Sequence, residues 1–269
     1  MRVIFVGAGP GDPELLTVKA AWLLQNCRLC VYAGSLVSPR VLGLLPASAE
    51  KYDSAAMNLD EISDVYRRAR DADIDVIRLH TGDPSIYGAI GEQMDVLDRL
   101  GIEYEVTPGV SSFQAAAAAL KTELTAPEIS QTIILSRAAG RTPVPEYQRI
   151  ERLAETRSTL CLFLSIGQIE SLADELARHY GSDCPAAVVF HASWPDEIVI
   201  RGTLKDIASK VRERNIEKTA LIVVGQALAR NNPESKLYSR GFSHGYRNNG
   251  QIKFPAETYL SKNLSPPGR

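Results

Sequence analysis

The stretch that decides the fold is "VIFVGAGPGDPELLT", Val3 to Thr17. Four apolar residues, Val3–Val6, run into a loop with glycine at positions 7, 9 and 11, and a leucine-rich segment follows. That pattern reads as strand, tight loop, helix. Asp12 is a good N-cap and Pro13 suits a first helical position, so these two residues are explained by helix initiation alone. The glycines ask for more. Three of them around a rigid proline at a strand's carboxyl end point to close backbone approach to a ligand.

Two later stretches repeat the theme. "TGDPSIYG", Thr81 to Gly88, carries the same Gly-Asp-Pro after an apolar run, and "VTPGVSSFQAAAAAL", Val106 to Leu120, follows another. The first half predicts strands at Val3–Val6, Leu29–Tyr32, Val76–His80 and Tyr104–Thr107. Its helices are expected at Pro13–Gln25, Leu59–Arg70, Ser85–Leu100 and Ser111–Leu120. Strands alternating with helices imply a mainly parallel sheet, with all three loops at its carboxyl edge. Ser111 and Ser112 read as the N-cap region of the alanine-rich helix.

The second half predicts strands at Thr132–Ser136, Thr159–Ser165, Ala186–His191, Glu197–Arg201 and Ala220–Gly225. Helices are expected near Ile169–His179 and Leu204–Arg214. "SWPDE" reads as a tight connection between two strands, so this sheet is expected to be mixed. The fold class is therefore α/β in two domains, residues 1–122 and 123–230. From Asn231 the pattern dissolves into a segment with six Lys/Arg against two Asp/Glu, read as an extended or mobile tail over 231–269.

Composition narrows the function classes. Hydrophobic residues make up 45% and charged residues 23%, and the net charge is -2, so nothing favours nucleic acid or a membrane surface as partner. No apolar run approaches the roughly 18 residues of a membrane span, and no signal peptide pattern opens the chain, so a cytoplasmic location is expected. Cys27 and Cys30 form a CxxC without a second pair, which reads as buried thiols and predicts no metal. The glycine spacing is not G-x-G-x-x-G, the second strand ends in "VYAGS" without an acidic residue, and no Walker lysine is present. NAD and ATP are disfavoured on those grounds.

In order, "VGAGPGDPELLT", "TGDPSIYG", "TPGVSSFQAAAAAL" and "TALIVVGQAL" resemble the tetrapyrrole methylases over roughly residues 1–230. "YAGSLVSP", "SRAAGRTPVPE", "TLCLFLSI" and "ASWPDEIVIRGTLKDIA" are similar to the branch that methylates precorrin-4 at C11. The uroporphyrinogen methylases carry an Asp where this chain has Ala33. The resemblance implies two α/β domains with a cleft between them, S-adenosylmethionine folded in that cleft, and a homodimer. It implies cofactor contacts from Pro10, Thr81, Gly82, Asp83, Ile86, Ser111, Ser112, Leu164, Ala192, Ala220 and Leu221, with Pro10 at the methyl-transfer site and Asp83 able to stabilise the sulfonium. Gly9, Gly11 and Asp12 would face the macrocycle.

Precorrins carry acetate and propionate side chains, so Arg40, Lys121, Arg137 and Arg141 are candidate carboxylate partners. Tyr32, Ser35 and Tyr87 are candidate bases, each equally explained by packing or capping. Competing readings are a cobalt-bound substrate, the uroporphyrinogen-III methyltransferase of sirohaem synthesis, and an idle dimeric binding scaffold. An NAD-dependent oxidoreductase is disfavoured by the glycine spacing.

Overall fold

The computed structural model describes residues 1–229 together with Pro233, Ser235, Ser239, Phe242 and Ser243. Apart from those five residues, the expected tail lies outside the described residues.

The first sheet contains β1 (Arg2–Gly7), β2 (Leu29–Tyr32), β3 (Glu50–Asp53), β4 (Val76–His80) and β5 (Glu103–Thr107). They pair in the order β3-β2-β4-β1-β5, all parallel. Alternate residues sort to opposite faces. Ile4, Val6, Cys30, Ile77 and Leu79 pack on α1 (Val18–Gln25) and α2 (Pro39–Leu42). Val3, Phe5, Leu29, Val31 and Val76 pack on α3 (Leu59–Asp71) and α4 (Gly91–Leu100). Both faces are covered, which is why β1 reads as a continuous apolar run rather than an alternation. Cys27 and Cys30 are buried thiols of this core, as their composition and position predicted.

The chain reaches the second half through α5 (Ser112–Ala119). Ala115 and Ala116 of α5 pack against Cys161, Ala187, Val189, Leu221 and Val223 of the second sheet. Small side chains let this helix lie close to its strands. The second sheet holds β6 (Ile133–Arg137), β7 (Thr159–Phe163), β8 (Pro185–Phe190), β9 (Ile198–Thr203) and β10 (Ala220–Val224), ordered β6-β7-β10-β8-β9. Only β6 and β7 run parallel; β10 is antiparallel to β7 and β8, and β9 to β8. The sheet is mixed, as expected. Its other face is closed by α6 (Ile150–Ala154), α7 (Ile169–Tyr180) and α8 (Ile207–Glu213).

Two expected helices differ, and an edge strand forms where none was expected. The helix expected over Pro13–Gln25 is two pieces: a single turn at Pro13–Leu15, then α1. Leu16 and Thr17 are extended, and Thr17 Oγ1 accepts the Ala20 amide at 3.1 Å, so a second cap restarts the helix. The helix expected from Ser85 starts only at Gly91, because Tyr87 and Ala89 are left-handed, at φ 55° and 48°. The edge strand β3, "EKYD", was not expected. It has no apolar alternation to announce it and forms by pairing with β2. No helix among the described residues is long and apolar enough to cross a membrane.

Candidate active site

The carboxyl ends of β1, β4 and β5 are tied together by backbone. The Ala8 amide donates to His80 O at 2.7 Å, and Gly9 and Gly82 exchange hydrogen bonds at 3.2 and 2.8 Å. The two Gly-Asp-Pro loops are thus paired with each other. A Cβ on Gly7 would lie 2.6 Å from the Gly109 backbone and from Gly82 O; one on Gly109 would lie 2.2 Å from Gly82 O. Gly7 and Gly109 are therefore explained by backbone-on-backbone contact. No ligand is needed to account for them.

Asp83 completes this junction. Its carboxylate accepts the Gly109 amide at 2.9 Å, the Ser85 amide at 2.8 Å and the Ser85 hydroxyl. Partial burial pushes the carboxyl up, but hydrogen bonds from the Ser85 hydroxyl, the Gly109 amide and the Ser85 amide outweigh it, and the group sits below its ordinary value. Its oxygens are engaged by protein donors. It builds the loop, which displaces the expected role of stabilising a sulfonium. Pro10 and Gly82 are buried, Thr81 is exposed and Ile86 half-buried beside this junction. Ser111 is buried at the N-cap of α5, its amide donating to Gln114 Oε1 at 2.8 Å, and Ser112 opens the helix.

The second sheet supplies the facing edge. Ends of β6, β7 and β8 and the start of β10 lie along it. Continuing the β7–β10 register puts Leu164 opposite Ala220. Leu164 is left-handed, at φ 53°, and 71% exposed, which holds an apolar side chain out in solvent. Ala220 is half-buried beside it. Ala192 and Leu221 are instead buried in the core against α5, so their part is to seat this edge rather than to line an open surface. Tyr87 crosses from the first half: its ring lies 5.3 Å from that of Phe163 at the end of β7.

Thr81 and Gly82 on the first edge and Leu164 and Ala220 on the second lie along these two facing edges. No group of three or more His, Cys, Asp or Glu able to hold a metal occurs among the described residues.

The expected cations and bases fare unevenly. Arg137 turns its guanidinium onto Thr142 O at 3.1 Å, Pro143 O at 2.9 Å and Ala138 O at 3.3 Å, so it organises its own loop. Lys121 follows the far end of α5, about 13 Å from Ser112 at the helical rise. Arg141 is exposed in the loop after β6. Arg40 meets the first loop, its Nη2 3.6 Å from Asp12 Oδ1. Burial pushes the phenols of Tyr32 and Tyr87 up, with Arg137 opposing the shift at Tyr87, so neither is tuned toward a base at neutral pH. Ser35 is exposed in the turn after β2.

Two groups escaped the sequence reading. One is buried under the junction. Gln93 Oε1 accepts Arg78 Nε and the Tyr66 hydroxyl, each at 2.9 Å, while Gln93 Nε2 donates to Ala89 O at 3.0 Å, pinning the Thr81–Ile90 loop. His80 lies beside Phe5 with its Nε2 buried and unpaired, and burial, helped by Arg78, holds it down at about 3. The other group is Ser193–Trp194, in the stretch read as a connection and as part of a family motif, with no role given to either residue. Trp194 Nε1 donates to Pro10 O at 2.8 Å, and the Asp12 amide donates to Ser193 Oγ at 3.0 Å. A tryptophan inside a short polar connection was the signal available.

Comparison with known proteins agrees with this arrangement. The sequence profile of the tetrapyrrole (corrin/porphyrin) methylases matches residues 2–208. A cobalt-precorrin-4 C(11)-methyltransferase of Methanocaldococcus jannaschii is 52% identical over 91% of this chain and 96% of its own. A precorrin-4 C(11)-methyltransferase of Sinorhizobium sp is 47% identical over 93% of this chain and 100% of its own. An X-ray structure of a cobalt precorrin-4 methyltransferase superposes with a TM-score of 0.82 at 43% identity, covering 85% of this chain and 96% of that one. The uroporphyrin-III C-methyltransferase of Thermus thermophilus, solved with S-adenosyl homocysteine, gives 0.71 at 32% identity, covering 85% and 99%. Loop junction, facing apolar edge and matched sequence together place this chain in the tetrapyrrole (corrin/porphyrin) methylase family.

Proposed function

We propose that this protein transfers the methyl group of S-adenosylmethionine to C11 of precorrin-4, giving precorrin-5 in cobalamin biosynthesis. The observation that carries the step is the match, over more than nine-tenths of the chain, to enzymes named for C11 methylation. S-adenosylmethionine supplies a methyl group already activated on a sulfonium. The residues need mainly to align donor and acceptor carbon and to exclude water. The paired Gly9 and Gly82 loops hold the reacting region rigidly from below, while Leu164 and Ala220 cover the adenine side. Thr81 offers the exposed hydroxyl of that loop. Ser111 and Ser112 shape the helix N-terminus behind it. Asp83 contributes by fixing the junction.

Strong stabilisation of the donor's cation would slow transfer, because charge disperses in the transition state. Engagement of Asp83 by its own loop avoids that penalty. For substrate carboxylates, Arg40 and Arg141 are the preferred partners; Arg137 is occupied by carbonyls. The working division is residues 1–122, 123–230 and 231–269, with α5 inside the first span but packed against the second sheet. A homodimer acting in the cytoplasm completes the reading, and light scattering of the purified protein tests its oligomeric part.

The second reading is a cobalt-bound substrate, favoured by the 52% relative. Incubation with methyl-labelled S-adenosylmethionine and either metal-free or cobalt-loaded precorrin-4 separates them. Label at C11 of one substrate alone selects it. Label at C2 and C7 of uroporphyrinogen-III instead would move the protein to the sirohaem step, and no turnover with stoichiometric S-adenosylhomocysteine binding would favour the idle scaffold.

A further inference from the structure

We propose that Trp194, with Ser193, is a positioning residue pair that sets the shape of the first glycine loop from across the cleft. The inference rests on the methyl-transfer reading for its catalytic consequence and on geometry for its structural one. The first sheet secures the loop only as far as Gly9, through the bonds to His80 and Gly82. Beyond that point the anchors change. Among the described residues, the Pro10 carbonyl is bonded by Trp194 and the Asp12 amide by Ser193, and no bond from the first sheet reaches either group.

The residue between those anchors has its own explanation. Gly11 is at φ 149°, and a Cβ there would lie 2.1 Å from Trp194 Cδ1 and Nε1. The space that a side chain would take is filled by the indole. Gly11 is glycine on two counts, a φ that side-chain-bearing residues rarely adopt and the indole of Trp194 lying over it, where the expectation was that this glycine makes room for the macrocycle.

The clasp is itself well braced. The Trp194 ring stacks on His191 at 4.4 Å and 26°, and His191 stacks on Phe190 at 3.8 Å and 16°. The Trp194 amide donates to His191 O at 2.8 Å, the Ser193 amide to Glu197 Oε2 at 2.7 Å, and His191 Nδ1 lies 2.9 Å from Asp196. His191 and Ser193 adopt φ 46° and 70°, conformations that non-glycine residues keep only when their surroundings enforce them. Asp12, held by Ser193, in turn meets Arg40. The clasp thus carries position from the second half to Pro10 through Trp194 and to Arg40 through Ser193 and Asp12. Pro10 is the residue assigned to the methyl-transfer site, where a misplacement of about 1 Å costs on the order of 100-fold in rate.

Two arms test this. W194F keeps the ring and its stack but removes the donor. It is expected to lower kcat about tenfold or more, with the Kd for S-adenosylhomocysteine, measured by calorimetry, within about threefold of wild type. A kcat within twofold of wild type, or a loss matched by an equal loss of S-adenosylhomocysteine affinity, overturns the positioning role. The second arm needs no turnover: G11A is introduced into wild type and into W194A, and urea unfolding midpoints are compared. The shift caused by G11A should shrink when the indole is absent, the part due to the backbone at φ 149° remaining in both backgrounds. Equal shifts in both backgrounds overturn the clasp. If wild type fails to methylate precorrin-4, the assigned function falls and the second arm still decides the geometry.

Discussion

Next to the strand ends of the first sheet the left-handed backbone falls on Gly9, Gly34 and Gly82, with Tyr87 and Ala89 left-handed only farther along the Thr81–Ile90 loop; at the facing edge of the second it falls on Leu164, His191, Ser193 and Thr219. The first edge packs backbone on backbone at Gly7 and Gly109, where a side chain has no room. The second needs its side chains: Leu164 as an exposed apolar surface, His191 as the base of the Trp194 stack, Ser193 as acceptor for Asp12. Holding a non-glycine residue left-handed costs roughly 1 kcal/mol each. The difference teaches that the first edge is built by omission of atoms and the second by strained placement of them. The two call for different mutations.

The largest effect is expected where omission is absolute. Gly109→Ala would set a Cβ against Gly82 O and the Gly7 backbone, none of which is a flexible side chain. It should cost more than about 3 kcal/mol in urea unfolding and abolish S-adenosylhomocysteine binding. A variant as stable as wild type would break the comparison outright.

Next comes the pH response of the β4 floor. His80 is held neutral when folded, at about 3, while an exposed histidine takes up its proton near 6.5. The unfolded chain therefore binds more protons between those values. Stability from this group is full above about pH 6.5 and is lost as pH falls toward 3. Unfolding at pH 5 should be easier than at pH 7 by about 2 kcal/mol from His80 alone, and His80→Phe should remove that part of the slope. An unchanged slope would place the imidazole in contact with water.

Asp83→Asn should cost about 1–2 kcal/mol, since one carboxylate serves three donors at a partly exposed position. Thermal melts at pH 7 measure it. A neutral outcome would mean that the glycine contacts alone hold the junction.

Leu164→Gly carries the smallest effect on stability and the sharpest sign. Relief of the left-handed strain outweighs the loss of a side chain that is 71% exposed, so stability should rise by about 0.5 kcal/mol. The Kd for S-adenosylhomocysteine should nevertheless rise about threefold to tenfold. Lower stability with unchanged affinity would show that the side chain packs for the fold and leaves the ligand untouched.

Legibility followed the same division. Strands β1, β2 and β4 were readable because each carries enough apolar residues to fill a covered sheet. The loop glycines were readable as needing close approach, though what approaches Gly7 and Gly109 proved to be backbone. β3 was invisible because an edge strand of charged residues forms by pairing, which no local pattern encodes. The late start of α4 was hidden because nothing in Tyr87 or Ala89 announces a left-handed residue. Arg137 was a fair guess as a free cation, since only the folded loop brings three carbonyls to it. Trp194 was passed over because its partner, Pro10, lies 184 residues away.

The sequence by itself determined that two α/β units are present, that ligand-scale loops sit at one sheet edge, and which family the motifs resemble. Those are consequences of local periodicity, helix-start chemistry and short motifs. Only the tertiary structure decided that Asp83 serves its own loop, that Gly11 accommodates an indole, and that α5 seats the second sheet. Each of these depends on which distant backbone or ring occupies a given few ångströms. Hydrogen bonds and steric exclusion act over that range in space, whatever the separation along the chain.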